Sequence, residues 1–279
     1  MSKREIEVVV LSDIHLGTYG CRAKELLQYL KSIKPKTLIL NGDIIDIWRF
    51  SKSYWPESHM KVVRRIMKFL SEGTEVYYLT GNHDEMLRKF GDQHIGNFRL
   101  SDKLVLELDG VKTWFFHGDV FDVTMQHSKW LAKLGAVGYD SLILLNSFVN
   151  WCLKMAKREK MSFSKRIKKK FKDAVKFIND FEMTAAELAA DKGYGYVVCG
   201  HIHQVALRRI TTDTGEVLYL NSGDWVENLT ALEYQHGNWC IYQYKTEDFS
   251  KYVEDSDAFD AENLDSMLDI RAMLQRFRA

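Results

Sequence analysis

The sequence predicts an α/β fold built on two packed sheets. Five short apolar runs, Val8 to Leu11, Thr37 to Leu40, Val76 to Leu79, Trp114 to Phe116 and Tyr196 to Cys199, each stop at a polar or Gly-containing segment. Runs of that kind read as parallel strands buried on both faces. Apolar residues at helical spacing separate the first three runs, so strands and helices alternate as a layered α/β fold requires. After the fifth run the signals become mostly antiparallel, which predicts a second sheet packed against the first.

The elements follow in order. Leu26, Leu27, Leu30 and Ile33 recur at helical spacing after the first strand, and Val62, Val63, Ile66, Met67, Phe69 and Leu70 do so before the third. Lys103 to Leu108 and Val111 to Phe116 flank Asp109-Gly110, the signature of a tight hairpin. Beyond His203, strands are expected over Val205 to Thr211, Val217 to Leu220, Leu229 to Tyr234 and Trp239 to Tyr244, with a turn near Asp213 to Glu216. Between Asp122 and Lys192 no strand signal occurs. Helices are expected there over Lys129 to Leu134, Leu142 to Ala156, Phe163 to Phe181 and Glu182 to Ala190, forming a lid or cap over the strand ends. The tail from Glu247 to Ala279 is acidic and then helical around Leu264, Met267, Leu268, Ile270, Met273 and Leu274.

With 279 residues, 46% hydrophobic and 28% charged, the chain has ample material for a core, and its two prolines mark no linker. A net charge of +1 gives no reason to expect a nucleic-acid partner. The longest uncharged stretch, Ser141 to Leu153, has thirteen residues, short of the roughly 20 that span a bilayer. Met1-Ser2-Lys3-Arg4-Glu5 runs directly into the first strand without a signal-type apolar stretch, so a cytoplasmic protein with reduced cysteines is expected.

The ends of the five apolar runs carry the chemistry: Asp13-Ile14-His15, Gly42-Asp43, Gly81-Asn82-His83-Asp84, His117-Gly118-Asp119 and Gly200-His201-Ile202-His203. In open α/β sheets functional groups gather beyond the carboxyl ends of strands, so these segments can converge. Carboxylate, amide and imidazole together suit two divalent ions, Mn first, with Fe, Zn or Mg also compatible. Cys21, Cys152, Cys199 and Cys240 form no C-x-x-C pair, which argues against thiolate zinc and iron-sulfur sites. His59, His94, His127 and His236 stand outside these segments and read as structural residues, while Asp46 serves either the site or a turn.

Asp13-x-His15, Gly42-Asp43-x-x-Asp46, Gly81-Asn82-His83-Asp84, His117 and Gly200-His201-x-His203, in this order, resemble the signature of the calcineurin-like metallophosphoesterase superfamily over residues 6 to about 244. The resemblance implies a four-layer α/β/β/α sandwich over residues 1–246, interrupted by a helical cap at about 122–192 and followed by the tail at 247–279. It further implies that Asp13, His15 and His203 hold one metal, that Asn82, His117 and His201 hold the other, and that Asp43 bridges them. Two bound cations acidify water for in-line attack on phosphorus. By the same analogy, His83 points at the leaving group or the developing oxyanion and Asp84 orients it.

Asp13-Ile14-His15-Leu16-Gly17, Trp48 and His117-Gly118-Asp119, with the helical insertion, look like the branch containing UDP-2,3-diacylglucosamine diphosphatase of lipid A synthesis. Members of that branch release UMP and an acylated sugar 1-phosphate at the inner membrane surface. The resemblance then implies peripheral membrane contact, with Ser164, Lys165 and Lys168 as cap contacts and Asn82 and His83 touching phosphate. The best-known enzymes of the branch carry Arg at the position of His83 and Thr at that of Ile202. The alternatives are a soluble phosphodiesterase or phosphatase acting on a nucleotide or small phosphoester, and a metal-poor scaffold that binds a protein partner. The oligomeric state is open.

Overall fold

The computed structural model describes residues 3–48, 54–121 and 163–246, with side chains in the last segment from residue 174. The expected helices Lys129 to Leu134 and Leu142 to Ala156, His127 and the tail beyond residue 246 lie outside the described residues.

The first sheet contains seven strands. Arg4–Leu11 (β1), Ile33–Asn41 (β2), Glu75–Leu79 (β3) and Phe98–Ser101 (β5) run parallel, with Gln93–Ile95 (β4) antiparallel on one edge. Thr230–Gln235 (β11) and Asn238–Gln243 (β12) complete the other edge in the order β12-β11-β1-β2-β3-β5-β4. The second sheet has the order β6-β7-β8-β10-β9, built from Lys103–Leu108, Val111–Phe116, Tyr196–Cys199, Gly215–Asn221 and Ala206–Thr212 respectively. Asp109 and Gly110 adopt φ of 48° and 82°, the left-handed pair that a two-residue hairpin between β6 and β7 requires.

Val8, Val10, Ile39, Tyr77 and Leu79 of the first sheet interdigitate with Phe115, Val198 and Leu220 of the second to form the inter-sheet core. Val9 and Leu11 are equally buried, which is why β1 reads as an unbroken apolar run. Ala23–Ser32 (α1) and Glu57–Ser71 (α2) accompany the first sheet. Arg65 of α2 donates from Nε to Leu30 O at 3.1 Å and from Nη2 to Ile33 O at 3.3 Å, satisfying carbonyls that the end of α1 leaves open. The fourth layer is Phe163–Asp191 (α3), whose Phe181, Ala185, Ala186 and Ala189 pack on Val197, Val217 and Tyr219 of the second sheet. The expected α/β/β/α sandwich is therefore the observed one.

Three differences from expectation have physical causes. The helices expected over Phe163 to Phe181 and Glu182 to Ala190 are one helix, because the apolar face continues through the intended break at residues 181, 185, 186 and 189. Its last turns cover the second sheet. Second, the last two strands join the first sheet beside β1. Glu233 of β11 accepts two bonds from Arg4, at 2.8 and 2.9 Å, and one from Tyr29 at 2.9 Å, which ties it to β1 and α1. Third, Ile33, grouped with α1 by its spacing, opens β2 instead.

Among the histidines read as structural, His94 and His236 are exposed and His59 is buried in α2. His59 Nδ1 accepts the Gly17 N–H at 2.9 Å, and burial pushes the imidazole pKa down to about 4. The unfolded chain therefore binds a proton at higher pH than the folded one. Stability from this residue is full above about 6.5, the ordinary histidine value, and is lost as pH falls from there toward 4. His59→Gln, which can still accept the Gly17 N–H, should flatten the fall in melting temperature between pH 7 and 5 relative to wild type; parallel curves would contradict this origin.

Candidate metal centre

Every expected donor sits just beyond the carboxyl end of a strand: Asp13 and His15 after β1, Asp43 after β2, Asn82 after β3, His117 after β7, His201 and His203 after β8. The site thus straddles both sheets, and buried polar ties hold the two edges together. Asn41 Nδ2 donates to Phe116 O at 3.2 Å, and Ser12 and Ser222 hydroxyls lie 2.7 Å apart. On the first sheet's side, Asp13 N donates to Gly42 O and His15 N to Asp43 O, at 3.1 and 2.9 Å.

Asp13, His15, Asp43, His201 and His203 all have positive φ, between 51° and 65°. A left-handed backbone costs an ordinary L-residue roughly 1–2 kcal/mol, and such residues gather at functional sites. Five in one cluster is a fold held in strained turns so that side chains converge.

They do converge. Asp13, His15 and His203 present donor atoms within 4.8 Å of one another, as do Asp13, Asp43 and His117, and His15, Asp43 and His83. His203 Nε2 lies 3.1 Å from Asp13 Oδ1 and His117 Nε2 lies 3.3 Å from Asp43 Oδ2. The His201 ring centroid is 5.2 Å from that of His117. Asn82 Oδ1 is buried with no hydrogen-bond partner, and Asp13 Oδ1 and His117 Nε2 also form no hydrogen bond. Buried polar atoms left this way call for an occupant. His117 Nδ1 is 2.9 Å from Asn41 O, which takes the ring proton and leaves Nε2 as the donor to a cation. His203 is oriented in the same way, with Nδ1 3.5 Å from Asp224 Oδ2.

The electrostatics agree. Burial alone would depress the His117 pKa, but the Asp43 and Asp13 carboxylates raise it to about 10. Burial opposes ionisation of Asp43, yet His117, His15 and His83 together hold its carboxyl far below the usual range. The pocket stabilises positive charge, whether as protons on imidazoles or as cations, and two divalent ions fit the donor set.

His83 and Asp84 need separate treatment. His83 N donates to Asp43 Oδ1 at 2.8 Å, and His83 Nδ1 lies 3.0 Å from Asp46 Oδ2. The carboxylate that orients His83 is therefore Asp46, not Asp84. Asp84 is fully buried on the far side of the turn, accepting the Ile44 N–H at 2.9 Å, the Gly81 N–H at 2.6 Å and the Tyr78 hydroxyl at 2.6 Å. It fixes the loop that carries Asn82 and His83. Ser164, Lys165 and Lys168 occupy the first two turns of α3, where side chains lie outside the described residues.

Asp224 also belongs to the site, 3.5 Å from His203 Nδ1, and is absent from the expected residues. Asn221-Ser222-Gly223-Asp224 ends β10 with the same apolar-to-polar switch that marks the other segments. Burial opposes ionisation of Asp224, but the His203 imidazole and the Glu227 N–H hold its carboxyl below the ordinary range. Asn41, whose backbone carbonyl orients His117, carries no such signal.

A family model described as calcineurin-like phosphoesterase matches residues 6–205. UDP-2,3-diacylglucosamine hydrolase of Nitrosococcus oceani is 26% identical over 229 residues, covering 80% of this chain and 88% of that protein. The protein of the same name from Aliivibrio fischeri is 22% identical over 246 residues, covering 85% and 98%. A solved archaeal phosphodiesterase aligns with a TM-score of 0.42 at 14% identity, over 85% of this chain and 98% of that one. The family match contains every donor described above. The chain belongs to the calcineurin-like phosphoesterase family, and its dinuclear divalent-metal centre makes it a hydrolase of phosphoester bonds.

Proposed function

We propose that this hydrolase cleaves the pyrophosphate of UDP-2,3-diacylglucosamine to UMP and the acylated sugar 1-phosphate. The observation that carries the reading is near full-length similarity to proteins bearing that substrate's name, with the donor set intact. The basic run Lys165 to Lys172 and the apolar stretch Leu142 to Leu153 supply what an anionic, acylated substrate needs. No described helix is long and apolar enough to cross a membrane; contact with the cytoplasmic membrane surface is part of the proposal, as is the division into a domain at 1–246, its cap and a tail.

In this assignment Asp13, His15 and His203 hold one cation, Asn82, His117 and His201 the other, and Asp43 both. Bound cations, with Mn as the expected pair, supply an activated water and neutralise charge developing on phosphate. The chain's own residues do the rest. Asp46 keeps the His83 ring fixed, with Nε2 4.0 Å from Asp43 Oδ2. Asn82 Nδ2 and His83 donate to phosphate oxygens as negative charge moves onto the leaving group. Ser164, Lys165 and Lys168 contact the substrate from the cap.

His83, where the best-known enzymes of that branch carry Arg, favours a second reading: a phosphodiesterase or phosphatase for a nucleotide or small phosphoester. An imidazole can release its proton and Arg cannot. The test is UMP release from UDP-2,3-diacylglucosamine by the Mn-loaded protein, beside a soluble chromogenic phosphodiester. Metal-dependent cleavage of the lipid nucleotide at ten times or more the kcat/KM of the soluble ester supports the first reading; hydrolysis of the soluble ester alone leaves the second.

A further inference from the structure

A cavity of about 570 Å³ has Tyr19, Arg22, Lys24, Tyr54, Ser58 and Val226 in its lining. That is within the range of ligand pockets, roughly 300–1,000 Å³. Both of its walls grow from backbone that presents metal donors. On one side Thr18 N and Oγ1 donate to His15 O at 3.2 and 2.9 Å, and Gly17 N is held by His59, which itself lines the cavity. On the other, Arg22 N donates to Trp225 O at 2.9 Å and Trp225 N donates to Asp13 O at 3.1 Å. Asp224, two residues before Val226, orients His203.

Tyr19 is the unusual residue. The residue is 80% exposed, and its ring rests against Tyr54, with centroids 3.7 Å apart at 36°, while Tyr54 in turn meets the His59 ring edge-on. One face of Tyr19 is supported and the other is presented to solvent. A rigid, supported aromatic face stacks planar heterocycles. The remaining lining decides between the two halves of a nucleotide-lipid substrate. Arg22, Lys24, Glu25 and Ser58 would lose hydration against an acyl chain, whereas a base and ribose offer carbonyl, imide and hydroxyl partners. Arg22 Nη1 meets Glu25 Oε1 only at 3.7 Å, so its guanidinium keeps donors for a ligand.

We propose that this cavity is the nucleoside subsite, with Tyr19 stacking on the base and Arg22 and Lys24 at its polar edge. The inference rests on the reading of a nucleotide substrate but not on the identity of the lipid. Calorimetric titration of the full-length, Mn-loaded protein with UMP and with ribose 5-phosphate tests it. Wild type and Tyr19→Phe should bind UMP at least about tenfold more tightly than ribose 5-phosphate. Tyr19→Ala should reduce that preference to within threefold while leaving ribose 5-phosphate affinity and melting temperature unchanged. No preference in wild type, or a full preference in Tyr19→Ala, would overturn the subsite. Failure to cleave the lipid nucleotide alongside an intact UMP preference would reject the lipid substrate alone, and cleavage of it without any UMP preference would reject the subsite alone.

Discussion

Replacing Asp43 by Ala is expected to lower kcat/KM on a soluble phosphodiester by at least about 10³-fold and to reduce bound metal from two equivalents to one or fewer, with the fold intact. The Asp43 side chain meets three imidazoles of the site. Its Oδ2 lies 3.3 Å from His117 Nε2 and 4.0 Å from both His15 and His83 Nε2, and it belongs to two of the three donor groups. A shared carboxylate offsets repulsion between cations about 3.5–4 Å apart, so neither cation position survives its loss unchanged. On folding, two effects oppose. Ala leaves the His83 N–H without its acceptor, which costs about 1–3 kcal/mol. It also removes a buried charge that disfavours ionisation of Asp13 and Asp84. Metal analysis, kinetics and a melting curve on one preparation separate these effects. Two tightly held metals with wild-type turnover in Asp43→Ala would eliminate the bridging assignment.

The centre is readable from the chain while its supports are not, because one is a local pattern and the other is not. Donor residues announce themselves because an apolar run that stops at Asp, Asn or His is a local pattern, and β1, β2, β3, β7 and β8 all end that way. The Asp109-Gly110 hairpin is equally local. Sheet membership is not: β11 and β12 join the first sheet through the long-range ladder between β11 and β1, which the Glu233 bonds to Arg4 and Tyr29 reinforce. The role given to Asp84 failed for a related reason. Adjacent residues in a turn point apart, so the carboxylate next to His83 in sequence anchors the loop from behind, and Asp46, from the turn after β2, reaches the imidazole. Nor does composition reveal that five donors carry left-handed backbone, since Asp and His are tolerated there without being required.

Gly81→Ala should lower kcat/KM about 10²-fold or more although no functional group is removed. Gly81 lies between the end of β3 and Asn82. A Cβ there would stand 2.6 Å from the backbone N of Asp43 and 2.8 Å from His117 Cδ2. Neither neighbour can yield cheaply. The Asp43 backbone is in a left-handed turn bonded to His15, and the His117 ring is fixed through Nδ1 by Asn41 O. The loop itself is also held, because Gly81 N donates to Asp84 at 2.6 Å. The added methyl must therefore separate Asp43, Asn82 and His117, and displacement of about 1 Å at reacting groups is enough for a loss of this size. Overpacking costs about 1–3 kcal/mol of stability, so the variant should remain folded at 25 °C with a lower melting temperature. Gly215→Ala is the matched control: a Cβ there meets nothing within 4 Å, and its φ is not positive. Kinetics, metal content and circular dichroism of the two variants should differ only at Gly81. If Gly81→Ala kept wild-type activity, the close approach of the two loops would not be what positions the donors, and the site would have to tolerate far more movement than its buried hydrogen bonds imply.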